Sequence, residues 1–316
     1  MPAISQPRLA FAWVWGTLLH RIQAQTYKSL LLLFFRKEVS FLSLRFWGKT
    51  LGMSDEIEIF EARAVRAHRA RAAATIDQVA PILEEASSRL LERLDDTTQK
   101  NRFSRALDLG GRGFIAPGLR ARGITDVVTM DVASAMASRA GGAAVAGDAE
   151  FLPFAKSSFD LVIACLSLHW TNDLPGALIQ IRQILKPGGF FVASMPVLPT
   201  LGEFRAALIE AEIEIAGGAS PRISPFPELR DCAGLLQRAG FSLPVADKDE
   251  IFLTYQNPIA LLRDLRGAGE GNALKMRSRK NPLTPPVLGR AFSAITNSDG
   301  QLAVTLHLAT MSGFAG

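Results

Sequence analysis

Three acids stand where short apolar runs come to an end. Asp108 lies in ALDLG and is followed within five residues by Gly110, Gly111 and Gly113. Asp131 closes DVVTMD, and Asp148 follows AAVAG and precedes Ala149 and Glu150. Glycines let the backbone turn tightly and let a ligand come close, and a helix start beyond them offers free N–H groups. A dinucleotide would rest its pyrophosphate on such a turn, but a carboxylate two residues ahead of the first glycine repels phosphate and suits an amine-bearing cation. An acid at the end of the next strand can accept from two ribose hydroxyls. An acid followed by a small residue, as in Asp148-Ala149, can accept from the amino group of an adenine. One glycine turn is commonplace. Three acids, each ending a consecutive strand, are much harder to obtain from core packing, and together they describe a site for a ligand with an amine, a ribose and an adenine.

A second cluster follows in CLSLHWTNDLP, residues 165–175. An apolar run stops in His169 and Trp170, an imidazole able to act as a base or orient an acceptor group, and an indole able to wall a pocket or face a cation. The plainer alternative has Trp170 packing beneath the next helix and His169 bonded to a backbone carbonyl. Thr171-Asn172-Asp173 reads as a helix cap ahead of Pro175, a first-turn proline. The histidines, His20, His68, His169 and His307, are scattered, with no 2-His-1-carboxylate spacing to suggest non-haem iron. Cys165 and Cys232 lie far apart without CxxC or Cys/His spacing, which disfavours a disulfide framework or a zinc site and fits a reducing compartment. Cys165 reads as a small buried thiol.

The elements that must hold these residues alternate. From residue 104 the apolar runs RALDLG, DVVTMD, AAVAGD, FDLVIACLSL and GGFFVASMPV are separated by helical or loop segments, and PGALIQIRQILKPGG reads as a helix ended by Pro-Gly-Gly. Continuous aliphatic runs of this kind predict a parallel sheet covered on both faces, with its site at the carboxyl ends of the strands. Ahead of it, 53–98 reads as two N-terminal helices, the second (TIDQVAPILEEASSRLLERLDD) with a Thr cap. After 197 come a helix (GEFRAALIEAEIEIAGG), a polar loop (ASPRISPFPE), a helix (LRDCAGLLQRAGF) and a strand (DEIFLTY). Next are a helix (NPIALLRDLRGAGEGN), a basic proline-rich loop (KMRSRKNPLTPP) read as solvated, and a final strand in DGQLAVTLHLATMSGF.

The 316 residues are 48% hydrophobic and 21% charged, enough for one large domain with appendages. The net charge of +5 is local. Residues 1–52 carry seven basic side chains against Glu38 alone, while the rest of the chain carries 28 basic and 29 acidic ones. A nearly neutral body argues against nucleic acid as a partner. The leader also holds Trp13, Trp15 and Trp47, and its apolar runs AFAWVWGTLL and SLLLLFF fall short of a membrane span. It reads as a targeting or membrane-surface segment, or as residues upstream of a true start at Met53. Membrane contact is expected only through this leader.

ALDLGGRG, TMD, GDAEFLPF, SSFDLVIACLSLHW and ILKPGGFF resemble the class I S-adenosylmethionine-dependent methyltransferases. The resemblance implies a Rossmann-like, doubly wound, mostly parallel seven-stranded sheet over 99–316, with a small helical cover at about 198–240. It implies S-adenosylmethionine as cofactor, held by Asp108, Gly110, Gly111, Gly113, Asp131, Asp148, Ala149 and Leu166, with His169 as the catalytic residue and no metal. The glycine turn is one residue shorter than that family's Asp-x-Gly-x-Gly-x-Gly. DAEFLPF, SLSLHWTNDLPGAL, SPRISPF, LLQRAGF and DLRGAGEGN are similar, from about Phe60 to Thr305, to the family of the mitochondrial complex I assembly factor of the arginine-hydroxylase type and its bacterial relatives. That family implies a respiratory complex I subunit as partner, in the bacterial cytoplasm or on the matrix side of the mitochondrial inner membrane. SFDLV and SLSLHW also resemble the malonyl-thioester methyltransferases of biotin synthesis. The leading expectation is methyl transfer to an acceptor not readable from the sequence. Arginine hydroxylation and a non-catalytic assembly chaperone are the alternatives.

Overall fold

A computed structural model describes residues 58–96, 103–277 and 282–316. The leader 1–52, Met53 and part of the KMRSRK loop lie outside the described residues.

Each apolar run forms a strand: β1 (Arg105–Leu109), β2 (Asp126–Asp131), β3 (Ala143–Ala146), β4 (Phe159–Cys165) and β5 (Leu185–Pro196). They are joined by β6 (Phe241–Tyr255) and β7 (Leu302–Ala315) in one sheet of order β3-β2-β1-β4-β5-β7-β6. β1 to β5 run parallel, and β7 lies antiparallel between β5 and β6. The centre of the sheet is covered on both faces, which is why β4 reads as an unbroken apolar run: Leu161, Val162, Ile163 and Ala164 are all fully buried. β6, at the edge, leaves Leu243 and Phe252 exposed.

The helices are α1 (Ala62–Ala72), α2 (Ala80–Asp95), α3 (Ile115–Ala121), α4 (Ser134–Ala137) and α5 (Leu174–Ile184), then α6 (Gly202–Ala216), α7 (Leu229–Arg238), α8 (Pro258–Gly267) and α9 (Pro285–Ile295). α2 buries Leu83, Ala86, Leu90, Leu91 and Leu94, a stripe at helical spacing that joins the same core as Ile163 and Val192 of the sheet. α6 packs with α8 and α9 beside the ends of β6 and β7, where Phe204 stacks on Phe292 at 5.3 Å.

Several boundaries differ from expectation. Thr75 makes no side-chain cap; a short 3₁₀ turn, Ile76–Val79, intervenes, and α2 restarts with Pro81 in its first turn. α8 stops at Gly267, because Gly267, Gly269 and Gly271 do not sustain a helix and Gly269 has φ +81°. GAGEGN is therefore loop. The stretch read as proline-rich loop contains the start of α9, since Pro285 occupies a first-turn position that has no N–H to lose. α6, the 217–228 loop and α7 occupy the range expected to form the cover.

β1 pairs with β2 on one side and β4 on the other. The chain winds outward in opposite directions from this pair, so the crevice beyond the carboxyl ends of β1 and β4 is the topological switch point.

Candidate active site

At the end of β1, Asp108 is fully buried and, among the described residues, neither carboxylate oxygen has a hydrogen-bond partner. Burial, and then the nearby Asp131 carboxylate, push its pKa up to about 7. Arg69 and the dipole of the Ala116 amide, beyond hydrogen-bond geometry, oppose the rise without cancelling it. Above Asp108 the chain turns through Gly110, at φ +72°, where a Cβ would stand 2.1 Å from the Ser167 Cβ. At Gly111 a Cβ would stand 2.5 Å from an Asp108 oxygen. Only glycines permit this approach. Both glycine N–H groups donate to the Met130 carbonyl, at 2.6 and 3.1 Å. Gly113, at φ +94°, sits against Arg139 instead. A small pocket is lined by Asp108, Gly110, Gly111, Arg112, Leu83 and Cys165.

Asp131, at the end of β2, is buried but not free. Arg69 of α1 donates to its Oδ2 from Nε at 3.1 Å and Nη2 at 2.7 Å, and the Ala133 N–H donates to Oδ1 at 2.8 Å. The same Nη2 reaches the Gly110 carbonyl at 2.9 Å. Asp148 and Ala149 lie just past β3, in the turn where the Glu150 N–H donates to Asp148 Oδ1 at 3.0 Å. Glu150 instead faces the end of β4, accepting from the Asn172 N–H at 2.5 Å.

At the end of β4, Leu166 takes a left-handed φ of +48°, and its carbonyl accepts from Arg112 Nη2 at 2.5 Å. Ser167 Oγ donates to the Leu109 carbonyl at 2.9 Å and so ties the ends of β1 and β4 together. His169 and Trp170 follow in a short 3₁₀ turn, and both point to Glu270 of the loop after α8. His169 Nε2 lies 2.8 Å, and Trp170 Nε1 2.7 Å, from Glu270 Oε2, while Arg112 Nη2 donates to Oε1 at 2.5 Å. Burial alone would raise the Glu270 carboxyl, but Arg112, then His169, and Arg69 hold it well below the usual carboxylate range. His169 Nδ1 is buried and has no hydrogen-bond partner among the described residues. Asp173 caps α5 by accepting from the Gly176 N–H at 2.9 Å, as the Thr-Asn-Asp spacing suggested. Asn172 holds the segment ahead of α1, accepting from the Ile59 and Phe60 N–H groups at 2.8 Å. Phe60 meets Trp170 edge-on at 5.2 Å and bridges to Leu274. The 59–61 segment and the 268–277 loop thus close over Trp170. Phe226, from SPRISPF, approaches His169 at 6.3 Å between ring centroids.

Of the residues expected at the site, Asp108, Gly110 and Gly111 line the pocket; Asp131 is tied to Gly110 through Arg69, and Leu166 and His169 are tied together through Arg112 and Glu270. The structure adds Arg69, Arg112 and Glu270, which the sequence reading did not single out. Arg69 left a signal: it falls on the apolar stripe of α1 with Val65 and Ala72, where a cation is out of place unless paired. Glu270 left none, because its partners are about 100 or more residues away in sequence. Among the described residues no group of three or more His, Cys, Asp or Glu side chains is arranged to hold a metal ion, and no helix is long and apolar enough to cross a membrane.

A methyltransferase domain profile matches residues 107–193. The human protein named arginine-hydroxylase NDUFAF5, mitochondrial, is 40% identical over 241 residues, covering 73% of this chain and 69% of its own length. Its Danio rerio counterpart is 37% identical over 73% of this chain and 74% of its own. Malonyl-[acyl-carrier protein] O-methyltransferase of Xylella fastidiosa is 34% identical over 77% of this chain and 84% of its own. A Bacillus halodurans protein solved as a candidate methyltransferase shares the fold with a TM-score of 0.50, at 16% identity over 71% of this chain and 98% of its own.

Proposed function

Because the chain belongs to the class I S-adenosylmethionine-dependent methyltransferase superfamily, we propose that its crevice binds S-adenosylmethionine and that the protein transfers the cofactor's methyl group to an acceptor. The observation that carries this is Asp108: a fully buried carboxylate, without a hydrogen-bond partner among the described residues, under a turn that only glycines can make, at the switch point of the sheet. A buried carboxylate whose oxygens make no hydrogen bond is costly, and a ligand that brings an ammonium group relieves it. The residues fit the cofactor. Asp108 would take the ammonium, Asp131 the ribose hydroxyls, and Asp148-Ala149 the edge of the adenine, with Gly110 and Gly111 leaving room and Leu166 forming the wall from β4.

When bound, S-adenosylmethionine supplies an electrophilic methyl group on a sulfonium, so the protein's task is chiefly to position an acceptor and free it of its proton. Glu270, held ionised, accepts from His169 Nε2–H. In a neutral imidazole this leaves the lone pair on Nδ1, the tautomer a general base needs. Trp170, fixed by the same carboxylate, and Phe226 shield that imidazole from water.

A second reading uses the same fold. The relatives at 37–40% identity are named arginine-hydroxylases of mitochondria, which supports hydroxylation of a protein arginine, with a respiratory complex I subunit as partner, in the matrix or in a bacterial cytoplasm. Calorimetric titration with S-adenosylmethionine tests the cofactor site: no heat at high micromolar ligand would refute it and leave a non-catalytic assembly chaperone. Intact-mass measurement of candidate acceptors then separates the enzymes, since methylation adds a CH₂ and hydroxylation an oxygen.

A further inference from the structure

The three acids account for the ammonium, the ribose and the adenine of such a cofactor but leave its carboxylate without a counter-ion. Arg69 comes from α1, outside the sheet, yet its guanidinium ends between the Gly110 carbonyl and Asp131, and the residue is 3% exposed. Two of its nitrogens are spent on Asp131 and Gly110, while the third, Nη1, is buried without an acceptor among the described residues. Arg112, in the glycine turn, repeats the pattern. Its Nη2 serves Leu166 and Glu270, and its Nε is buried without an acceptor among the described residues. Arg69 lies close enough to depress the Arg112 pKa after burial has done so, and to act on Asp108 and Glu270 as well. The surroundings of the glycine turn therefore hold two buried cations, each with a spare donor, near a buried carboxyl with two spare acceptors. A zwitterion, with ammonium and carboxylate on one carbon, is the complement of that arrangement.

We propose that Arg69 binds the carboxylate of the cofactor's amino-acid end and reaches it by exchange. In the free protein Arg69 neutralises Asp131. When the nucleoside arrives, the ribose hydroxyls take over Asp131 and the Arg69 guanidinium turns to the carboxylate, with the spare Nε of Arg112 beside it. The exchange keeps Asp131 from standing buried and unpaired, which a carboxylate at that depth would not tolerate. α1 becomes a strap whose docking reports that the amino-acid end is in place. This inference rests on the cofactor reading above.

The test compares S-adenosylhomocysteine with 5′-methylthioadenosine, which keeps the adenosine and the thioether but has no amino-acid end, by calorimetry on the full chain. Arg69→Ala should weaken S-adenosylhomocysteine roughly 10- to 100-fold, the loss of a charged hydrogen bond. It should leave methylthioadenosine unchanged or tighter, because the competitor for Asp131 is gone. An unaltered ratio of the two affinities, or an equal gain for both ligands, would overturn the proposal and leave Arg69 a placeholder. Arg69→Lys, which keeps the charge beside Asp131, serves if the alanine variant does not fold, and should show the same selective loss at smaller size. The wild-type chain gives a reading free of variants: it should bind S-adenosylhomocysteine more tightly than its decarboxylated analogue, and equal binding would refute the role. If the wild-type chain binds neither nucleoside, the cofactor reading itself fails and takes this inference with it, an outcome distinct from binding that ignores Arg69.

Discussion

Replacing Asp108 by asparagine should make the free protein more stable at neutral pH while impairing its site. The carboxyl has an ordinary pKa of 3.8 and one of about 7 in the fold. A shift of about 3 units corresponds to roughly 4 kcal/mol of differential interaction. The sign follows from proton uptake. Between about pH 4 and pH 7 the native state holds a proton that the unfolded chain has released, so stability declines as pH rises through that window and stays low above it. Asparagine is neutral throughout and has no such decline. Its amide, buried among the same neighbours without partners, costs about 1–3 kcal/mol, so the net gain above pH 7 is about 1–3 kcal/mol. That corresponds to a few degrees in Tm for a chain of this size, at about 2–4 °C per kcal/mol. Below pH 4, where Asp108 is protonated in both states, the gain vanishes or reverses. Thermal melts of both proteins from pH 4 to pH 8, followed by circular dichroism, measure it. Titration with S-adenosylmethionine at pH 8 should show the variant about 1.5–3 kcal/mol weaker for want of the charged hydrogen bond to the ammonium. A Tm difference that does not change with pH would mean that Asp108 is not an uncompensated buried acid. Undiminished cofactor binding would mean that it does not face the ligand.

Glu270→Gln removes the anion that Arg112, His169 and Trp170 share; it should cost about 3–5 kcal/mol at neutral pH by leaving Arg112 buried without its counter-ion, a loss readable by urea denaturation. Because the folded carboxyl is held below its ordinary value, its contribution in the wild-type protein is present above about pH 4.5 and lost as pH falls below it, so the two denaturation curves should converge in acid. His169→Ala should leave cofactor affinity within error and lower turnover roughly 10²-fold or more once an acceptor is in hand; unchanged turnover would return His169 to a packing role. Gly110→Ala drives a Cβ to within 2.1 Å of Ser167 at a left-handed φ and should cost several kcal/mol, about 1–2 for the backbone and 1–3 for the overlap. Gly218→Ala, whose Cβ meets nothing within 4 Å, should change stability by no more than about 0.5 kcal/mol in the same melts.

The parallel strands were legible because the covered centre of a doubly wound sheet demands unbroken aliphatic runs, and DVVTMD and FDLVIAC supply them. The acids at the strand ends were legible for the complementary reason: a carboxylate that interrupts such a run has no place in packing. Element ends were less so. GAGEGN continued a helical pattern until glycine flexibility broke it, and Pro285 looked like loop although it starts a helix. What sequence could not supply is pairing across distance. That Asp131 meets Arg69, and that one carboxylate, Glu270, gathers Arg112, His169 and Trp170, follows from where α1 and the loop after α8 come to rest on the sheet. Local propensity and periodicity act over a few residues and are written in the chain. The neutralisation of a buried charge is decided by whichever opposite charge the fold delivers, from however far away, and is settled only when the chain has packed.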